Sequence, residues 1–298
     1  MALMRRQLTF LLILTLSISA CGDSSGSEDT TTTPDPGGAT TMATIPSDRP
    51  TLLKPDELPT ELVITDITVG EGRAAQAGDF LVVDYVGIRS VDGVEFDNSY
   101  DRGQASLFPL GTGELIEGWD VGLLGVKPGG VRRLDIPSEL AYGDETRGKF
   151  IRANEDISFL VTVRAVVPPS GPEDAPDIAE LQPIVDSEEL QIFDLVEGSG
   201  SKLAYGDTAV IHTMALRGDT LEILDNSWER STPLLLLIAP GPGDWIEGFD
   251  RGMADIRVGT TRIIGIPYTQ AYGPEGSPDR GLPPETDLII IVEVLAAY

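Results

Sequence analysis

Leu115, Ile116, Trp119 and Leu123 fall at i, i+1, i+4 and i+8, which predicts a short helix with one apolar face and a large aromatic on it. Lys127-Pro-Gly-Gly130 then punctuates a turn. From Val131 to Ile136 the period changes to two, with Leu134 and Ile136 apolar and polar residues between, as in a strand. The pattern returns 130 positions later. Residues 115–143 align without a gap on 245–273, keeping Ile-Glu-Gly, Asp, Gly, Gly, Arg, Ile-Pro and Ala-Tyr-Gly in register. Gly and Pro recurring together demand the same turns twice, so the chain is a tandem duplication.

Around the first copy, 61–69, 80–86, 94–97 and 157–163 read as strands, and Asp92-Gly93 is a hairpin signal. Several strands and one helix per copy predict an α+β fold, a helix packed on one face of a twisted antiparallel sheet. The predicted organisation is a first domain at 59–167, a Pro-rich semi-rigid linker at 168–186 and a second domain at 187–298.

Composition changes the picture mainly ahead of the domains. Residues 8–18 are apolar behind Arg5 and Arg6, a run too short to span a bilayer, and Ile18-Ser19-Ala20 leads to Cys21, the only cysteine. Residues 1–21 resemble the bacterial lipoprotein signal, in which the residue matching Cys21 is lipidated and becomes the mature N-terminus. That resemblance implies an extracytoplasmic, lipid-anchored place in a bacterial cell envelope. The alternatives are an ordinary signal peptide with an incidental Cys, or a buried thiol. Residues 22–58, rich in Ser, Thr, Asp, Gly and Pro, predict a disordered tether with a reach of roughly 30 Å. The formal net charge of -27 argues against nucleic acid as a partner.

Val83-Asp-Tyr85-Val-Gly87, Phe96-Asp97-Asn-Ser99, Ile116-Glu-Gly118-Trp119 and Ala141-Tyr142-Gly143 stand in order, with Phe159 in the last strand. Together they resemble the FKBP-type peptidyl-prolyl isomerases, the macrolide-binding immunophilins, over about residues 60–167 and less closely over 187–298. The resemblance implies two FKBP-like domains, each a curved antiparallel sheet wrapped around a short helix. It also implies a proline pocket with Trp119 as floor, Tyr85, Phe96 and Phe159 as walls, and Leu115, Ile116 and Ile151 at the rim. Asp97 is expected at the edge with Arg102 supporting it, while the Tyr142 hydroxyl and the Ile116 N–H reach substrate carbonyls. Ser106 departs from the family, which often has an aromatic there. Taken singly, Tyr85, Phe96 and Phe159 read as core; their joint order favours the pocket.

The implied reaction is rotation about X–Pro bonds of exported proteins, with proline-containing polypeptides as partners and macrolide immunosuppressants as a candidate ligand class. No metal or cofactor is expected, and the chain is expected to be a monomer. In the second copy Asp225, Ile246 and Tyr272 are retained and Arg230 matches Arg102, but Thr213, Leu224, Phe249 and Ile290 replace Tyr85, Phe96, Trp119 and Phe159. That pocket is expected to be weak. His212, the only histidine, lies in an apparent strand and reads as structural or half-exposed. A non-catalytic, chaperone-like proline-binding lipoprotein is the alternative reading.

Overall fold

The computed structural model describes residues 49–178, 188–238 and 246–298. The signal with Cys21, the tether up to residue 48 and the end of the linker lie outside the described residues.

The first domain comprises β1 (Val63–Thr68), β2 (Phe80–Arg89), β3 (Glu95–Asn98), β4 (Ser106–Pro109), α1 (Glu117–Gly122), β5 (Val131–Ile136) and β6 (Ile157–Val167). The second repeats this as β7 (Gln191–Val196), β8 (Thr208–Arg217), β9 (Ile223–Asn226), β10 (Leu234–Leu237), α2 (Glu247–Gly252), β11 (Thr261–Ile266) and β12 (Leu288–Ala297). Every pairing is antiparallel. The first sheet runs β1-β5-β6-β2-β3 with β4 also on β2, and the second has the same connectivity, with β9 and β10 both on β8. The expected α+β architecture is thus present twice.

The helix is shorter than the apolar spacing predicts. Ile116 is its N-cap, in extended conformation (φ -64°, ψ 145°), and only Glu117–Gly122 is helical. Leu115 and Ile116 therefore enter from a strand-like approach. Helices this short have little stability of their own and depend on packing. Here packing is unusually close: a Cβ on Gly118 would lie 2.5 Å from Ile136 Cγ2, and one on Gly122 2.8 Å from Leu134 Cδ2. Gly248 and Gly252 meet Ile266 and Ile264 in the same way. Glycines one turn apart let each helix lie against its sheet, which presses Trp119 and Leu123 into the core with Leu81, Val83 and Val161.

Segments ahead of each domain cover the other sheet face. Leu52 packs on Val86, Ile88 and Tyr100, while Arg49 bonds Asp101 (2.8 Å) and Glu95. In the second domain Ala175 and Ile178 pack on Met214, Leu216 and Trp228, the positions matching Val86, Ile88 and Tyr100. The described part of the linker is therefore packed, and so is the end of the span predicted as tether.

The two domains meet through one apolar cluster. Phe80, Val82, Leu107, Ala165 and Val167 come from the first, and Val210, Leu235, Leu295, Ala296 and Tyr298 from the second. Val82 matches Val210, Leu107 matches Leu235, and Ala165 matches Ala296 by strand register. Each copy thus offers largely the same patch, as in an isologous interface.

His212 is fully buried, stacked on Trp228 with ring centroids 5.0 Å apart. Its Nε2 lies 2.5 Å from Ser170 Oγ of the linker, and its Nδ1 lies 2.7 Å from Ser227 Oγ. Burial pulls its pKa down to about 4. The folded value lies below the unfolded one of about 6.5, so the ring's contribution is complete above pH ~6.5 and is lost as pH falls toward ~4. Between pH 7 and 5 the wild type should lose about 2 kcal/mol more stability than a His212→Asn variant, read as urea unfolding midpoints. Equal losses would contradict this assignment.

Candidate active site

The first domain's aromatic residues come from four separate strands and the helix, and meet on the side of the sheet that α1 covers. Tyr85 of β2, Phe96 of β3 and Phe159 of β6 stand around Trp119 of α1. Trp119 lies 5.1 Å from Phe159 (83°) and 5.4 Å from Tyr85 (90°) between ring centroids. Phe96 meets Phe159 at 5.6 Å and 89°. These edge-to-face contacts are the favoured geometry for aromatic pairs, so the rings brace one another.

A fifth ring, Phe108 of β4, was not among the expected walls. It meets Trp119 at 5.5 Å and 86°, and Tyr85 at 6.2 Å. The alternation Leu107-Phe108-Pro109 is too short to show a face, but its pairing with Leu81 turns Phe108 toward the core. Leu115, Ile116 and Tyr142 also pack against this cluster, and Ile151 is buried within it. Eight of the ten residues expected at the first site therefore gather in one cluster, and the other two, Asp97 and Arg102, stand at its edge.

Polar groups sit at the edge of the box. The Tyr85 hydroxyl donates to Asp97 Oδ2 at 2.5 Å. Arg102 donates to Asp97 Oδ1 (2.8 Å), to the Tyr85 hydroxyl oxygen (2.8 Å) and to Ser106 Oγ (3.3 Å). The position where an aromatic was expected thus supplies an acceptor for the arginine. Burial, then the Asp97 carboxylate, pushes the Tyr85 phenol up to about 12, with Arg102 opposing. Tyr85 stays protonated and fixed at physiological pH.

Tyr142 follows the turn Ser138–Leu140, which closes with a 2.8 Å bond from Gly143 N–H to Ser138 O. Burial raises its pKa, while Arg147, lying 5.3 Å above the ring, acts in the opposite sense. The arginine is held by a tight hairpin in which residues 147 and 151 exchange backbone hydrogen bonds. That hairpin also delivers Ile151 to the box.

Gly87 closes the arrangement from behind. A Cβ there would lie 2.7 Å from Phe159 Cε1 and 2.9 Å from Phe96 Cζ. Its backbone is ordinary strand, so space alone demands glycine. The second domain has Ala215 at this position, beside Leu224 and Ile290 instead of two phenylalanines. Glycine behind and phenylalanine in front are one joint choice.

The second site keeps the frame with other walls. Ion pairing joins Asp225 to Arg230, and Phe249 is buried in the α2 position. Ile246 and Tyr272 pack on the same core, and Arg280 lies 5.4 Å above the Tyr272 ring. Thr213, Leu224 and Ile290 carry no ring. A cavity of about 450 Å³ lies on this domain's flank, lined by Leu203, Leu236, Phe249 and Met253. It shares Phe249 and Leu236, the counterparts of Trp119 and Phe108, but none of positions 213, 224, 225, 230, 272 and 290, so the converging groups of the first domain make the better site.

Among the described residues no cluster of His, Cys, Asp or Glu is arranged to hold a metal. The described residues of the first domain bring together a cluster of aromatic rings with a fixed carboxylate, an arginine and a phenol at its edge.

The sequence model described as FKBP-type peptidyl-prolyl cis-trans isomerase matches residues 71–164 and 200–295. The chain belongs to this family. Its members bind proline-containing peptides, and the chain is an enzyme of the peptidyl-prolyl isomerase class. It is similar to an FK506-binding protein of Streptomyces anulatus, 46% identical over 111 residues, 37% of this chain and 90% of that one. It is also similar to the mouse (Mus musculus) peptidyl-prolyl cis-trans isomerase FKBP10, 33% identical over 224 residues, 75% of this chain but only 35% of the relative. Among solved structures, FkpA of Escherichia coli is 41% identical over 36% of this chain and 48% of its own, with a TM-score of 0.34.

Gly87→Ala should leave the FKBP fold standing, because ring tips can yield, while lowering prolyl isomerase kcat/KM by about tenfold. Ala215→Gly in the second domain should change activity little. A fully active Gly87→Ala enzyme would break the link between glycine and walls.

Proposed function

We propose that the first domain accelerates cis/trans exchange of X–Pro bonds in exported proteins while the chain is held at a bacterial membrane by a lipid on Cys21. The observation that carries the catalytic part is the complete box of Tyr85, Phe96, Trp119 and Phe159 with Asp97, Arg102 and Tyr142 at its mouth.

Rotation of the amide must remove its resonance, against a barrier of about 18–20 kcal/mol. The twisted state is less charge-separated than the planar one, so an environment poor in water favours it over the ground state. That is differential binding, and each 1.4 kcal/mol gained is about tenfold in rate. In this reading Trp119 and its neighbouring rings hold the pyrrolidine. Tyr142 donates to one substrate carbonyl and the Ile116 N–H, which precedes the helix ladder, to another. Asp97, locked by Tyr85 and Arg102, faces the twisting amide without taking a proton from it. A macrolide of the type named for the Streptomyces relative would compete for the same box.

The second domain is proposed as a weak isomerase serving as a binding and spacing module. Its missing rings at 213, 224 and 290 support that reading.

The test is exchange in a short X–Pro peptide catalysed by the whole mature protein. Trp119→Ala with Phe159→Ala should lower the rate more than about tenfold, whereas Phe249→Ala should lower it less than twofold, with folding of each checked by thermal melting. Loss on the Phe249 change alone would move the activity to the second domain. For the anchor, Cys21→Ser should shift the protein from the membrane to the soluble fraction of expressing cells. Unchanged membrane recovery would rule the lipid out.

A further inference from the structure

The prolyl site leaves one feature of both domains without a purpose. Among the described residues β1 and β7 are end strands, each paired on one side only. All six residues of β1 are exposed, as are five of six in β7. Three of the six residues of β1 and four of the six of β7 are nevertheless apolar. Val63, Ile64, Ile67 and the following Val69 are 43–72% exposed, and Ile192, Phe193, Leu195 and Val196 are 41–54% exposed.

An apolar strand with a free backbone edge is a template for further strand pairing, and soluble proteins normally blunt such edges with charge or proline. Here the one charge within each strand is spent inward: Asp66 pairs with Arg132 and Asp194 with Arg262, each at 2.6 Å. The other polar residues are uncharged, Thr65 and Thr68 in β1 and Gln191 in β7, and the rest of each strand is apolar. The second copy carries the larger side chains, Phe193 and Leu195, although its proline box has lost its rings. The property is therefore independent of the prolyl pocket.

We propose that the outer edges of β1 and β7 dock extended, apolar segments of non-native polypeptide flanked by basic residues. An incoming strand would complete the backbone hydrogen bonds, with alternate side chains lying on the exposed Val, Ile, Leu and Phe. The flanking preference follows from charge. Exposed Glu61 and Glu71 bracket β1, and exposed Glu188 and Glu197 bracket β7. Lys or Arg at the ends of the segment is attracted to both ends of either strip. A second copy of this chain is disfavoured by the same groups and by a formal net charge of -27. Two strips in one chain hold a long unfolded segment more tightly than either alone and raise the local concentration of its prolines near the box.

The probe is a fluorescent, proline-free peptide of about ten residues, apolar β-formers flanked by lysines, with a glutamate-flanked control. Binding to the full mature chain is read by anisotropy. The lysine-flanked peptide should bind at least about tenfold more tightly, with the difference shrinking as salt rises. Ile67→Asp combined with Phe193→Asp, both exposed, should weaken it at least about tenfold and leave isomerisation of a short X–Pro peptide unchanged. No binding, no preference between flanks, or undiminished binding by the double variant overturns the proposal. So does loss of binding in Trp119→Ala, which would place the probe in the proline box. Concentration-dependent self-association that the double variant abolishes would assign the strips to a second copy instead, and overturn it too.

Discussion

How near α1 can come to β5 determines the rest of the first domain. Six helical residues cannot hold themselves together, and the bare backbone at Gly118 and Gly122 lets Ile136 and Leu134 do it for them. A methyl at either position would lift the helix and with it the Trp119 ring. The edge-to-face contacts to Tyr85, Phe108 and Phe159 would then open together. The box is a by-product of close backbone approach, with the aromatic residues filling the angle between helix and curved sheet.

Much of this was legible in the sequence. Leu134 and Ile136 alternate with polar residues, 80–86 and 157–163 are rich in β-formers, and the order of Tyr85, Phe96-Asp97, Trp119 and Tyr142 points to the site. What escaped depends on partners distant in the chain. Phe108 lies in a strand of four residues, too few to reveal which side is inward. Leu52 and Ile178 sit in polar, Pro-rich surroundings that predict spacer, and only the exposed backs of the sheets give them something to cover. Val82, Val210 and Tyr298 look like ordinary strand or terminal residues until the other domain is present. The apolar pattern begins ahead of the helix because Leu115 and Ile116 share its apolar face without sharing its backbone conformation.

The two copies separate what the fold needs from what the pocket needs. Gly118 and Gly122 recur as Gly248 and Gly252, and Asp97 with Arg102 recurs as Asp225 with Arg230. The serine that binds the backbone of β2, Ser99 to Tyr85 N–H, recurs as Ser227 to Thr213 N–H. The wall rings of Tyr85, Phe96 and Phe159 do not recur, and neither does Gly87. Frame and walls have parted, and the glycine went with the walls because it served them.

The face shared by the domains has a consequence for the chain as a whole. Two free proteins generally need about 1,000 Å² of well-fitted contact to stay together, whereas tethered ones meet at an effective concentration in the millimolar range. The linker therefore lets a modest apolar patch suffice. A protease cut anywhere between the domains would do more than sever two modules. It would turn an intramolecular contact into a dilute bimolecular one, uncovering Phe80 and Val82 on one fragment and Leu235 and Tyr298 on the other. The chain's continuity is itself part of its solubility.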